Sequence, residues 1–110
     1  MQSKELKSLM NFVKKIKGKQ VLKKVKSIDD EQEKIDVIKY FLKSKLEIKN
    51  EHIKKEIEKM KEKNKDVFFA ETKLSLLRSK TKFFVATYHK KDFENVLRLL
   101  KEVESEIKNV

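Results

Sequence analysis

Apolar residues recur at steps of three and four along most of the chain, the spacing of one face of an α-helix. Leu6, Leu9, Met10, Val13 and Ile16 form a first such set, preceded by Ser3 as an N-cap. Gly18 stands where a helix C-cap is expected. Val21, Leu22, Val25 and Ile28 form a second, shorter set, either a separate turn of helix or a continuation across Gly18. Asp29 and Asp30 mark a new start. Asp30 and Glu33 have the spacing of a capping box, and Ile35, Ile38, Phe41, Leu42 and Leu46 follow as an apolar face.

From Leu46 the pattern is heptad-like: Leu46, Asn50, Ile53, Ile57, Met60, Asn64, Val67. Asn suits either a seam position that fixes register or a helix end. The wholly polar run Lys61 to Lys65 favours a break near Asn64; a break near Asn50 is the alternative. Val67, Ala70, Leu74, Leu77, Thr81, Phe84 and Tyr88 then step regularly. The polar stretch Tyr88 to Asp92 reads as a turn with Asp92 as N-cap. Phe93, Val96, Leu100, Val103, Ile107 and Val110 continue beyond it. Two such helices joined by a short turn predict an antiparallel αα-hairpin over 66–110.

The expected fold is all-α: a small helical bundle of three to five helices ending in that hairpin. The 110 residues suit a single helical domain, with 1–28 a basic amphipathic segment and 29–64 a central helix or helix pair. The hairpin holds more apolar residues than one seam needs. Phe68, Phe69, Leu76, Phe83, Val85, Leu97 and Leu99 lie off the main stripe. These helices are therefore expected to bury two faces, the second against the N-terminal helices or a second copy. Phe68, Phe69, Leu76, Phe83 and Leu97 are the candidate interaction residues. Polar Asn50, Asn64 and Thr81 in the long heptad suit a self-associating seam, so a homodimer is expected.

Composition sharpens this. One Gly and no Pro argue against the turns of an all-β fold, and Gly18 alone cannot form a phosphate-binding glycine loop. No Cys excludes disulfides, thiolate metal sites and a Cys nucleophile. The longest apolar run, Phe83 to Ala86, is far short of the about 20 residues that span a bilayer. No apolar leader follows the basic start, so a cytoplasmic location is expected. His52 and Glu56, or His89 and Asp92, match no metal motif. Ser75 and Ser79 lack a nucleophile elbow. A non-enzymatic protein without cofactors is expected.

Charge is the remaining signal. Charged residues make up 43% of the chain and the net charge is +11. Lys and Glu enrichment is a thermophile signature, and such surfaces mix both signs. Residues 29–65 do so, with eleven Lys against ten acids. Residues 1–28 do not: Lys4, Lys7, Lys14, Lys15, Lys17, Lys19, Lys23, Lys24 and Lys26 face the single acid Glu5. Such a segment attracts polyanions, an acidic protein or an anionic membrane surface. It holds no Arg, which favours contact with a DNA or RNA backbone over base readout. The expected function is a nucleic-acid-associated accessory protein, with these nine lysines as its contacts. A protein–protein adaptor using the hairpin's apolar face is the alternative. Phe83, Phe84, Tyr88 and Phe93 lie near basic residues and could stack on single-stranded bases, but most of them are on the main stripe, which favours the core.

Ile35 to Leu42 followed by Glu47 to Ile57, with Asn50 as a cap, resembles the first two helices of winged-helix DNA-binding domains. The resemblance implies a recognition helix next. The segment after Asp66 would instead offer Val67, Phe68 and Phe69 to base edges, and no Gly-bearing wing follows.

Overall fold

In a computed structural model that describes residues 3–110, the protein is all-α. It has five helices: α1 (Lys4–Lys15), α2 (Lys19–Lys26), α3 (Glu31–Glu62), α4 (Phe68–Thr87) and α5 (Lys90–Lys108). They fall into two compact units that meet within α3, at Lys45 and Leu46. The first contains α1, α2 and the start of α3. The second contains the remainder of α3 and the α4–α5 hairpin.

In the first unit, Ser3 caps α1, its Oγ accepting from the Leu6 amide at 3.1 Å. The Ser3 amide donates to Glu31 Oε1 at 3.0 Å, which ties the start of α1 to the start of α3. Hydrogen bonding with Ser3, through its side chain first and its backbone amide second, holds the Glu31 carboxyl below the usual carboxylate range. Its contribution is present above the ordinary carboxylate pKa and is lost as pH falls through the lowered value. Leu6, Leu9, Phe12 and Val13 of α1, Val25 of α2, and Ile35, Ile38 and Leu42 of α3 are buried.

Gly18 does not end α1 in the way its composition suggests. Lys17 takes the left-handed conformation (φ 61°), and Gly18 has φ −90°. The Lys17 amide donates to the Lys14 carbonyl at 3.2 Å and the Gly18 amide to the Val13 carbonyl at 3.0 Å, the paired bonds of a Schellman motif. Glycine is needed for space. A Cβ at position 18 would lie 2.5 Å from Val13 Cγ1 and 3.0 Å from the Phe41 ring.

α3 begins where the paired aspartates predict. The Glu33 amide donates to Asp30 Oδ2 at 3.3 Å, and the Lys34 amide to the Asp30 carbonyl at 3.1 Å. It then runs unbroken through Asn50 and closes beyond Glu62, with Asn64 left-handed at φ 62°. The break near Asn64 is thus present and the one near Asn50 is not. One continuous helix also replaces the two helices that the winged-helix resemblance requires.

In the second unit, Leu46, Ile53 and Ile57 of α3 are buried, as are Ala70, Leu74, Leu77 and Phe84 of α4 and Phe93, Val96, Leu99, Leu100 and Val103 of α5. Asn50 and Thr81 belong to this interior, where Asn50 Nδ2 donates to Thr81 Oγ1 at 3.1 Å. The Thr81 hydroxyl donates to the Leu77 carbonyl at 2.8 Å. Asn50 and Thr81 therefore fix the pairing of α3 with α4 inside one chain, and Asn64 ends a helix. The heptad seam expected to join two chains is occupied within one.

The hairpin turn is two residues long. Tyr88 is left-handed (φ 51°), and its amide donates to the Phe84 carbonyl at 2.6 Å. α5 starts at Lys90 with His89 as N-cap, so Asp92 sits inside the first turn. There its carboxylate accepts from the Thr87 hydroxyl and pins the turn. Burial and the Glu47 carboxylate push the Tyr88 phenol up.

Candidate nucleic-acid interface

The two N-terminal helices separate apolar from basic positions because both must fit one 3.6-residue period. On α1, burying Leu6, Leu9, Phe12 and Val13 turns Lys4, Lys7, Lys14 and Lys15 to the opposite side. On α2, Val25 is buried with Val21 and Leu22 half-buried, and Lys19, Lys23 and Lys26 share an outward stripe. Lys24 lies off that stripe and Lys17 sits in the connecting turn. All nine lysines, Lys4, Lys7, Lys14, Lys15, Lys17, Lys19, Lys23, Lys24 and Lys26, are exposed.

None of the nine makes an ion pair among the described residues. Glu5, the segment's only acid, reaches out of it to Lys39 on α3 at 3.1 Å. Elsewhere the signs are interleaved: Lys49 with Glu104 at 3.4 Å, Lys61 with Glu71 at 3.6 Å, and Lys73 with Glu102 at 3.3 Å. Helix dipoles add to the contrast. Lys14 and Lys15, and Lys23, Lys24 and Lys26, occupy last turns, where a cation is favoured. The first turn of α2 has no acid, and Gly18 supplies no side-chain cap, so its positive end is not offset.

The aromatic residues divide sharply. Phe84 and Phe93 are fully buried with ring centroids 5.1 Å apart, and Tyr88 packs on Phe84 at 5.0 Å. These three belong to the hairpin interior. Phe83 is exposed, with Lys80 Nζ 5.4 Å above its ring. Phe68, Phe69 and Leu76 are exposed as well, whereas Leu97 is half-buried on α5. The second face expected to be buried is therefore open on α4 and partly closed on α5. Exposed Tyr40 and Ile48 on α3 stood out in no periodic pattern.

Two open grooves flank α4 in the second unit. One, of about 620 Å³, is lined by Lys54, Arg78 and Lys82 but also by Glu58 and Glu71. The other, of about 380 Å³, sets Arg78 and Lys82 against Glu47 and Glu51. Mixed signs leave neither a dedicated anion site. His52 Nδ1 lies 3.4 Å from Glu56 at the surface. Among the described residues no three His, Cys, Asp or Glu side chains converge to hold a metal. No described helix is long and apolar enough to cross a membrane. No known protein family, curated protein or solved structure matches this chain.

Proposed function

We propose that this is a non-enzymatic, nucleic-acid-associated accessory protein that holds backbone phosphates through the lysines of α1, the α1–α2 turn and α2. The supporting observation is nine exposed lysines, unpaired among the described residues, beside one acid that is engaged elsewhere. An ammonium binds phosphate as a point charge, and no guanidinium in the segment offers a bidentate grip on guanine. Affinity then comes from counterion release, with little dependence on base sequence.

If five of these lysines neutralise phosphates together, log K for duplex DNA falls against log salt with a slope of about −4.5. Titration of mixed-sequence duplex DNA and single-stranded RNA across a salt series checks this. Steeply salt-dependent binding, with duplexes of unrelated sequence equivalent, is the expected result. Absence of binding at low salt overturns the reading. The adaptor reading draws support from the open apolar face of α4 instead.

A further inference from the structure

The outward face of α4 carries no charged residue, on a chain that is 43% charged. Phe68, Thr72, Ser75, Leu76, Ser79, Phe83 and Ala86 fall within an arc of about 100°, with Phe69 at its edge, and all are exposed. Phe68, Phe69, Leu76 and Phe83 keep 66%, 65%, 46% and 57% of their surface. The four present on the order of 400 Å² of apolar surface, the size at which a patch on a monomer is commonly an interaction site.

Four residues along this face correspond in mirrored pairs. About the midpoint between Ser75 and Leu76, Phe68 mirrors Phe83 and Thr72 mirrors Ser79. Phenylalanines stand at both ends and small Thr72, Ser75 and Ser79 inside them, while Leu76 at the centre comes opposite Ser75 of the other copy. Such a pattern complements itself when a second α4 lies across it antiparallel, as a two-fold axis requires. Phe68 of one copy then meets Phe83 of the other, and Thr72 meets Ser79. Small side chains at the inner positions let the backbones approach.

The flanks agree with the same register. In an antiparallel two-fold pair, like flanks face each other. Glu71, which pairs with Lys61 of its own chain at 3.6 Å, then stands level with the span between Arg78 and Lys82 of the other copy. Lys80, on the other flank, comes beside the exposed Phe69 ring, and its like-charged neighbour Lys73 is already paired with Glu102 at 3.3 Å. Two such faces, with the flanking lysine stems, approach the roughly 1,200 Å² at which stable interfaces begin.

We infer that the outward face of α4 is the self-association surface of this protein, joining a second copy antiparallel about the Ser75–Leu76 midpoint. Each chain carries +11, so salt that screens this repulsion strengthens the pair, opposite to its effect on phosphate binding.

Sedimentation equilibrium of the full chain in 0.5 M salt is expected to show a dimer that Phe83→Glu weakens by at least about 100-fold. The chain has no cysteine, so cross-linking can read the register directly. Ser75→Cys is expected to oxidise to a covalent dimer faster than the exposed control Ser105→Cys. Thr72→Cys should link to Ser79→Cys in a mixture and not to itself, because in this register two Thr72 positions stand about 10 Å apart along the axis. Self-linking of Thr72→Cys with no mixed product would overturn the antiparallel register. A monomer at millimolar concentration in high salt would overturn the proposal as a whole, and leave the face to a different protein.

Discussion

Replacing Phe84 by Ala is expected to cost about 3–5 kcal/mol of unfolding free energy. The ring is fully buried and lies 5.1 Å from Phe93 and 5.0 Å from Tyr88, centroid to centroid. Its backbone carbonyl accepts the amide of left-handed Tyr88, so its own packing and the closing of the turn meet at one residue. Deleting the ring removes its transfer free energy and leaves a cavity between α4 and α5. That cavity cannot collapse fully while Asp92 and Thr87 hold the turn. A loss of this size is a large fraction of the 5–15 kcal/mol typical of a folded domain. Its neighbour provides the control. In dilute, low-salt solution, where the chain is monomeric, Phe83→Ala deletes the same ring from a position 57% exposed and should change stability by under about 0.5 kcal/mol. Urea denaturation followed by circular dichroism checks both. Equal effects at the two positions would contradict the assigned packing of α4.

The second large effect concerns affinity. Changing Lys14, Lys15, Lys23 and Lys24 together to Glu reverses four exposed charges in the last turns of α1 and α2. Nucleic-acid affinity at low salt is expected to fall by more than about 100-fold, since each lost phosphate contact also removes its counterion release. Acids near helix C-termini oppose the dipole by about 0.3–1 kcal/mol each, so a modest loss of stability accompanies the change. A matched variant separates location from net charge. Lys63, Lys65, Lys101 and Lys108 are also exposed, and changing these four to Glu alters the net charge equally. That variant should retain most of the affinity. Equal losses from the two variants would show that net charge, rather than the α1–α2 surface, governs binding.

The hairpin was readable in the sequence because its stripes repeat without interruption. Ala70, Leu74, Leu77, Thr81 and Phe84 are buried at the spacing that periodicity assigns them, as are Phe93, Val96, Leu100 and Val103. The basic surface was readable for a simpler reason. Nine lysines with one acid among them cannot neutralise one another locally, and each stays exposed.

Asn50 was ambiguous because a cap and a buried seam position share a residue type. Its partner Thr81 lies 31 residues away, beyond the reach of local spacing. Gly18 misled because glycine commonly takes the left-handed site after a helix. Here Lys17 accepts that conformation, and glycine stands one residue later, where the Val13 and Phe41 side chains leave no room for a Cβ. The open face of α4 was expected to be covered. An apolar residue off the main stripe signals a second contact surface without saying whether its own chain supplies the other side.

The most direct test of the central claim is to follow the protein's backbone amides by heteronuclear NMR while a mixed-sequence DNA duplex is added at low salt. Shifts are expected to concentrate in α1, the Lys17–Gly18 turn and α2. Amides around Phe68, Leu76 and Phe83 should remain still, and raising the salt should reverse the shifts. Shifts centred on α4 or α5, or none at all, would contradict that claim.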